Sequence, residues 1–568
     1  MKKKLLSLFM AGAMVTALTA CAAAPAAPAA EAPADGGEAA VEAPAEEAAA
    51  PAEASELVDG KFAETREITV EIYDRGNDGG SNPEDNDYTR WIQEQMLEKH
   101  NVKVSFQKVP RWTEVDDINN LLAGGTAPDV CVTYSYPTVQ TYADMGGVID
   151  LAPYLETYKA DLPNLWNWLG ETNLYWDKDP ATGNVWAVEA KLANMNRVVT
   201  FIRKDWLDQL GLEEPTTKEE FHEVLVAFKD NADTLLGADA DKIVPYSVSF
   251  DVGWRAATLI ESFIDPDISD KEYYVNGFDD RKLTQNGTKE AVRLLNEWYN
   301  EGLMWNDFAI YGSGDTTEDD MMKAGYVGAF SHNWDYPFRN GEDSINANLK
   351  RLVGEDAAFV AIDPFEDKNG GHNKFLAGPV DRKVFFPSTN DEPLASLLYL
   401  DFISEPETIQ YLQIGEEGVT HEVTEDGAIS IIAATGDAIQ NSGMNIDYTI
   451  TCNGLHLTTE ELTNKSLAYT YAGIDPEQVL KANEIAKTDT RIGVNVQTGN
   501  IEAEAGIGDV LSSKRDQIYD QAVSAAPADF DSVWDSGISD YLASGGQAII
   551  DERTEKWEAT YGDTDMLP

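Results

Sequence analysis

The sequence predicts an α/β protein of two or more lobes, each built around a largely parallel sheet. The chain has 568 residues, far more than one hydrophobic core normally serves. Segments with the alternation of strands are followed by segments with helical periodicity and then by further strands, an order typical of parallel α/β sheets. Hydrophobic residues make up 43% of the chain, enough for more than one packed core.

The first predicted strand covers residues 68–73, where apolar and polar residues alternate. Further strands are predicted at residues 102–109, 129–134, 198–202, 244–249, 326–331 and 359–362. Amphipathic periodicity predicts helices between them, at residues 88–99, 116–122, 206–210, 221–228 and 289–299. The alternation of strand and helix begins again at residue 198.

The N-terminal part of the chain is predicted to precede the folded body. Lysines at positions 2–4 and an apolar stretch at 5–18, too short to span a membrane, are typical of a secretory signal peptide over residues 1–20. Small residues precede Cys21 as in a bacterial lipobox, so we expect Cys21 to be diacylated; an incidental cysteine after an ordinary signal peptide is the alternative. Residues 21–56 continue with Ala, Pro, Glu and Gly and without Lys or Arg, which predicts a disordered tether. We therefore expect a lipid anchor on the extracytoplasmic face of the cell membrane of a Gram-positive-type bacterium.

The chain is strongly acidic, with 42 basic and 100 acidic residues and a formal net charge of −58. A surface this negative repels phosphate groups, which excludes nucleic acid as a partner. The charge selects no ligand by itself, because acidic composition is common among secreted proteins.

In open α/β sheets, ligands bind beyond the carboxyl ends of the strands. For the predicted strands, this rule selects loops at residues 73–75, 134–137, 250–255 and 331–336. All four loops are rich in aromatic or charged residues. Coincidence is the alternative, because the chain contains 13 Trp and 23 Tyr.

Four segments of the chain resemble the extracellular solute-binding protein family 1, in its long lipoprotein branch, which serves carbohydrate ABC transporters. In this chain they read AGGTAPDV at 123–130, YADMGGVIDL at 142–151, FIRKDWL at 201–207 with PTT at 215–217, and GGQAIIDER at 545–553. Their order behind a lipobox extends the resemblance over roughly residues 65–560.

The resemblance implies a two-lobed periplasmic-binding-protein-like fold of type II. Each lobe would be a mostly parallel sheet flanked by helices, and a hinge would let the lobes close on a ligand. Lobe I would comprise residues 57–190 and 363–420, and lobe II residues 191–362 and 421–568.

The function implied by the resemblance is capture of a carbohydrate, most simply an oligosaccharide, by a monomeric receptor that passes it unchanged to ABC permease subunits. Binding of a non-sugar solute by the same fold, such as a peptide, is the first alternative. A surface carbohydrate-active enzyme is the second alternative, and it would need two committed carboxylates or a Tyr/Arg/Lys cluster.

A sugar ring presents an apolar C–H face and an edge of hydroxyls, so its site needs an aromatic platform and planar polar groups. Tyr134 or Tyr136 is a candidate stacking ring, with a rim tyrosine as the alternative, and Trp254 is a candidate platform rather than a core residue. Asp74 and Arg75 are candidate hydroxyl ligands, with a turn-forming Asp beside a surface Arg as the alternative.

The resemblance adds further candidates. Trp334, beside Asp335, matches the position of a stacking Trp in the family and is the best single candidate. Glu189 lies in WAVEA at 186–190, which resembles the first hinge of maltodextrin-type members, where a glutamate reaches the sugar. Arg382 would enter the cleft from lobe I, with a surface salt bridge as its alternative.

No metal, cofactor or catalytic site is predicted. The six histidines are scattered without an H-E-x-x-H pair, and no G-x-S-x-G elbow occurs. Some long-branch relatives carry a calcium loop where this chain has residues 230–241, but Leu235 and Leu236 interrupt the oxygen ligands that calcium needs. Cys131 and Cys452 lie far apart in sequence, which favours two buried thiols over the disulfide that export would permit.

Overall fold

The computed structural model describes residues 56–75, 82–193, 198–312, 314–376, 380–432, 447–492 and 496–567. The predicted signal peptide, Cys21 and all but the last residue of the predicted tether lie outside these ranges. Among the helices of the described ranges, none combines the length and the apolar character needed to cross a membrane.

The strands of the described chain are mostly short. Their bounds are β1 Leu57–Val58, β2 Lys61–Phe62, β3 Arg66–Asp74, β4 Val102–Pro110, β5 Cys131–Thr133, β6 Val188–Leu192, β7 Val198–Arg203, β8 Val244–Ser247, β9 Val327–Asn333, β10 Phe359–Ile362, β11 Lys374–Leu376, β12 Val380–Phe385, β13 His421–Val423, β14 Ile429–Ile431, β15 Cys452–Asn453 and β16 Thr490–Ile492. Every strand predicted from the sequence is present among them.

Helices occupy most of the chain between the strands. Their bounds are α1 Asp87–His100, α2 Glu114–Gly124, α3 Tyr136–Asp144, α4 Ala152–Thr157, α5 Pro163–Leu174, α6 Lys204–Leu210, α7 Lys218–Asp230, α8 Ala232–Leu236, α9 Val252–Arg255, α10 Ala257–Glu261, α11 Asp270–Asn276, α12 Thr288–Asn300, α13 Thr317–Lys323, α14 Ile345–Leu352, α15 Pro393–Phe402, α16 Pro406–Ile414, α17 Glu460–Ser466, α18 Pro476–Lys487, α19 Gly508–Ser524, α20 Phe530–Tyr541 and α21 Gln547–Tyr561. The five predicted helices correspond to α1, α2, α6, α7 and α12.

The first lobe is built on the strands near the N-terminus. β3 and β4 pair in parallel along their whole lengths, and a parallel bridge between Val70 and Val130 places the chain entering β5 beside β3. β12 pairs antiparallel with β5 and with β6, and β15 pairs parallel with β6. The core of this lobe buries apolar residues of these strands against α1, α5 and α15.

The second lobe is built on a sheet of order β10, β7, β9, β8. β7 is antiparallel to both of its neighbours, and β8 is parallel to β9. The core of this lobe is rich in large aromatic side chains, among them the buried Phe201, Trp206, Phe221, Trp298 and Phe330. α12 packs against α19, and α19 packs against α20, which places the C-terminal helices on this lobe.

Both sheets are mixed rather than mostly parallel. The chain passes from one sheet to the other between β6 and β7 and again between β10 and β12. Each of these four strands has an antiparallel partner in its own sheet. Antiparallel strands need no crossover helix between them, unlike parallel strands. The lobe bounds also differ from the prediction at two places. β15, predicted in lobe II, pairs with β6, and β11, predicted in lobe I, pairs with β16 and packs near α10.

Cys131 and Cys452 both lie in the sheet of the first lobe, on its two edge strands. Both are free thiols and both are buried, in agreement with the preference drawn from the sequence. Cys131 begins β5 and Cys452 begins β15, and the strands β12 and β6 separate β5 from β15 in the sheet. That separation explains why the two sulfurs do not pair.

Candidate functional site

Two adjoining cavities lie where the first lobe faces the second. Their volumes are about 360 and 270 Å³, close to the lower end of the range for small-ligand sites. Pro137 and Thr141 of α3 line both cavities from the first lobe, and Glu504 lines both from the opposite side. A polar ligand larger than a single ring could occupy both cavities at once.

The first-lobe wall is the region where β5 ends and α3 begins. Ser135 caps α3 by accepting a hydrogen bond from the backbone N–H of Thr138 at 3.4 Å. Tyr136 opens the helix, and its hydroxyl donates to the carbonyl oxygen of Asp177 at 3.3 Å. Tyr136 lines the smaller cavity and belongs to a loop that the rule about carboxyl ends of strands selected, and its role as a stacking ring stays a prediction. Tyr134 precedes the helix and is half-buried just behind it.

The second-lobe wall consists of residues 496–515 together with residues 278–280. Arg515 donates to Asp279 at 3.1 Å and to Asp280 at 3.3 Å, and Glu504 accepts from Arg553 at 2.8 Å. Burial raises the pKa of Asp279, and Arg515 opposes that shift. The charges of this wall are therefore largely paired, and paired charges of this kind can hydrogen-bond hydroxyl groups.

Within the ranges that the structure describes, no three His, Cys, Asp or Glu side chains are grouped so that they could hold a metal ion.

Arg75 and Arg382 share one carboxylate in the first lobe. Arg75 Nε and Nη2 donate to Asp447 at 2.5 and 2.8 Å, and Arg382 Nη1 lies 3.8 Å from the same carboxylate. Arg382 is completely buried, and its Nη2 donates to the carbonyl oxygens of Thr449 and Cys452 at 3.1 and 2.7 Å. Arg382 thus holds the chain before β15 against β12 and does not enter the cleft, contrary to the expectation, whereas Arg75 keeps part of its side chain exposed.

Glu189 is also placed differently from the expectation, whereas the role of Asp74 as a hydroxyl ligand stays a prediction. Glu189 is 1% exposed; neither carboxylate oxygen has a hydrogen-bond partner among the described residues, and Lys383 Nζ lies 3.5 Å away. Burial raises the Glu189 pKa well above its usual range, opposed by Lys383 and reinforced by Asp177. Asp177 itself lines the smaller cavity, so Glu189 lies beneath the wall. Asp74 pairs with Lys108 at 3.2 Å.

Trp334 and Asp335 are buried in the second lobe and line neither cavity. Trp334 is 7% exposed and packs edge-on against Tyr471, with ring centroids 6.2 Å apart. Asp335 accepts hydrogen bonds from the Tyr471 hydroxyl at 2.5 Å and from Arg339 at 2.7 and 3.0 Å. Tyr471 lies just after the 3₁₀ turn Leu467–Tyr469 that follows α17, and its ring covers Trp334 beyond the end of β9. The sequence-based choice of Trp334 as the main stacking ring is therefore corrected to a core residue.

Trp254 keeps part of its surface accessible on α9. It is half-buried and meets His332 edge-on with ring centroids 4.9 Å apart. The neighbouring Arg255 is buried and pairs with Glu318 at 2.8 Å. Trp254 lines neither of the two cavities, so its role as a platform stays a prediction.

Arg111 and Trp112 line neither cavity, but they are candidate contacts that the sequence analysis did not select. They follow directly after the carboxyl end of β4. Trp112 is 60% exposed, and the guanidinium carbons of Arg75 and Arg111 lie 6.0 and 5.6 Å from its ring centroid. Val115 and Asn119, which line the larger cavity, follow on α2. The rule that selected the other loops could have found this pair, because it follows a predicted strand.

The chain matches the family model described as bacterial extracellular solute-binding protein over residues 91–424. It is 23% identical to the polygalacturonan/rhamnogalacturonan-binding protein YtcQ of Bacillus subtilis over 354 residues, which are 57% of this chain and 62% of YtcQ. It is 27% identical to lipoprotein LipO of the same organism over 237 residues, which are 38% of this chain and 42% of LipO. The alignments therefore span less than two thirds of either relative.

The fold is similar to solved structures of binding proteins, among them those of AlgQ2 and FusA. The alginate-binding protein AlgQ2, without calcium ion, superimposes with a TM-score of 0.60 at 15% identity, covering 87% of this chain and 98% of AlgQ2. The Streptococcus pneumoniae substrate-binding protein FusA, an EF-hand mutant with fructo-nystose, superimposes with a TM-score of 0.61 at 14% identity, covering 88% of this chain and all of FusA. The predicted two-lobed α/β fold is thus confirmed. Because the family model matches more than half of its length, the chain belongs to the bacterial extracellular solute-binding protein family.

Proposed function

We propose that this chain captures an oligosaccharide in the cleft between its lobes and delivers it unchanged to the permease subunits of an ABC importer. The observation that carries the proposal is the exposed indole of Trp112, just before the cavity-lining residues of α2, together with two polar cavities whose charged groups are largely paired. The indole suits the C–H face of a sugar, and the paired carboxylates and guanidiniums suit its hydroxyls.

The related proteins support the ligand class. YtcQ is a polygalacturonan/rhamnogalacturonan-binding protein, AlgQ2 is an alginate-binding protein, and the FusA structure is a complex with fructo-nystose. Each of these names denotes a carbohydrate. We extend that class to this chain, with Tyr136, Arg75, Trp112 and the half-buried Tyr134 and Trp254 as the proposed contacts.

The mechanism we propose is closure of the lobes over the ligand, followed by release. The lobes are joined through the passages from β6 to β7 and from β10 to β12, where a hinge would act. One polar contact already crosses the cleft, from Asn500 Nδ2 to Asp144 Oδ2 at 3.5 Å. Binding and release need no covalent step, so we propose a receptor rather than an enzyme.

We further propose that Cys21 carries the lipid anchor and that residues 21–56 tether the lobes to the extracytoplasmic face of the membrane. The support is the lipobox-like sequence before Cys21 and the relative LipO, which is named a lipoprotein. Metabolic labelling with a fatty acid, in the natural chain and in Cys21→Ala, would test this part: label in both variants would contradict it.

Calorimetric titration of the chain carrying Cys21→Ala against a panel of oligosaccharides tests the central proposal. We expect one carbohydrate class to bind with micromolar or tighter affinity and to be recovered intact by chromatography. Trp112→Ala should weaken binding by about tenfold to a hundredfold, because it removes an aromatic anchor. Trp112→Phe keeps a ring and is the matched control. Binding of no carbohydrate, or the appearance of shorter products, would contradict the proposal.

A further inference from the structure

Arg111 is the one arginine in the described ranges that donates no hydrogen bond. Its Nε atom is buried without a partner among the described residues, and its approach to a carboxylate is the 4.0 Å between Nη1 and Glu114 Oε1. Every other described arginine donates at least one hydrogen bond to an oxygen acceptor. A guanidinium has five N–H donors, so the hydrogen-bonding capacity of Arg111 is unused.

Glu114 does not satisfy Arg111, because the oxygens of Glu114 have other partners. Oε2 accepts from the hydroxyl of Tyr73, and Oε1 accepts from the backbone N–H of Tyr134 at 3.0 Å and from Thr133 Oγ1 at 3.3 Å. Glu114 thus ties the ends of β3 and β5 together. The cost of an unfilled buried donor therefore falls on Nε, since the Nη atoms belong to a side chain that is 21% exposed and can reach solvent. A ligand acceptor at the guanidinium would replace that solvent.

Aromatic rings hold the Arg111 guanidinium in place. Its carbon lies 4.1 Å from the ring centroid of Tyr134 and 5.3 Å from that of Tyr73, and these two rings stack with centroids 6.1 Å apart. The Arg111 side chain is 21% exposed, so part of the guanidinium remains accessible beside Trp112. A charged group that is fixed before binding loses little entropy when the ligand arrives.

We propose that Arg111 binds the carboxylate of a uronic acid residue whose ring stacks on Trp112. The planar guanidinium can donate two parallel hydrogen bonds to the two oxygens of a carboxylate. A ligand carboxylate would also balance the positive charge of Arg111, which Glu114 at 4.0 Å balances only in part. A neutral sugar offers hydroxyls, which carry no charge. This inference rests on the proposed function, because it names the class of oligosaccharide that the cleft takes.

The test compares tri-galacturonate with the neutral trisaccharide made by reducing its carboxyl groups, each titrated calorimetrically into the Cys21→Ala chain. We expect the acidic trisaccharide to bind about tenfold to a hundredfold more tightly, the effect of one charged hydrogen-bonded contact. Arg111→Met should abolish this preference. Arg111→Lys should retain a smaller one, because lysine keeps the charge and loses the fork.

Arg90→Met is the matched control. It removes an exposed arginine of α1 that pairs with Asp85 and Asp87, each at 2.8 Å, and it should leave the preference unchanged. Thermal melting establishes that each variant is folded. The comparison of the two trisaccharides in the Cys21→Ala chain needs no Arg111 variant.

The outcomes separate the two proposals. Equal or tighter binding of the neutral trisaccharide, or binding of neutral carbohydrates but of no acidic one, would overturn the uronate assignment and leave the proposed function intact. Preference for the acid in folded Arg111→Met would overturn the role of Arg111. If no carbohydrate binds, both proposals fail.

Discussion

Replacing Trp334 by alanine should destabilise the second lobe and leave ligand affinity unchanged. The side chain is 7% exposed and belongs to the second-lobe core. Truncating a buried Trp to Ala costs about 3–5 kcal/mol of unfolding free energy, through lost apolar burial and the cavity left behind. We expect the upper part of that range, because Tyr471 would lose its edge contact with Trp334 while still donating to Asp335.

Differential scanning calorimetry measures this change as a lower melting temperature of the second lobe. For a lobe of roughly 300 residues, an unfolding entropy of about 2.1 cal/mol/K per residue means that each kcal/mol lowers the midpoint by about 1.6 °C, so the shift should be about 6–8 °C. Trp254→Ala in the same lobe is the matched control, and it should cost less because Trp254 is only half-buried. Ligand titration at a temperature where Trp334→Ala remains folded should give the affinity of the parent chain.

The result that refutes this reasoning is specific. A Trp334→Ala variant that melts like the parent chain but no longer binds ligand would show that the indole faces the ligand, as its position after a strand led us to expect from the sequence.

Two further predictions concern buried titratable groups. Burial, reinforced by Asp516 and Asp251, raises the pKa of Asp520 from the ordinary 3.8 to about 7. Between pH 3.8 and about 7, the folded chain keeps a proton on Asp520 that the unfolded chain releases. The contribution of Asp520 to folding stability is therefore complete below pH 3.8 and is lost as the pH rises through about 7. The melting temperature of the parent chain should therefore fall relative to that of Asp520→Asn across this window, and parallel curves would contradict the shift. Thiol reagents should label neither Cys131 nor Cys452 in the folded Cys21→Ala chain, because both thiols are buried and burial raises both pKa values; fast labelling without denaturant would show that the core is open.

The strands and long helices were predictable because their signals are local. β3 alternates apolar and polar residues, and α12 carries its apolar residues on one face, so each element could be identified without its partners. Sheet order has no such signal. β12 pairs with β6 and β5 from distant parts of the sequence, and the antiparallel direction follows from the passages between the lobes, which short sequence patterns do not encode.

Some candidate site residues lie at a cavity and others are buried, depending on which segment covers the end of the preceding strand. Tyr136 follows β5 and remains at the cavity, because α3 begins there and leaves the ring at the wall. Trp334 follows β9 in the same way, but Tyr471 from a remote segment covers it. Arg382 is buried because Thr449 and Cys452 present carbonyl oxygens to it. The wall formed by residues 496–515 was missed, since much of it is irregular and carries no apolar periodicity.

A crystal structure of the chain with a bound oligosaccharide is the most direct test of a ligand site between the lobes. We predict an intact sugar chain between α3 and residues 496–515, with one ring over the indole of Trp112. A sugar bound outside this cleft, or a cleaved product within it, would contradict the proposed receptor.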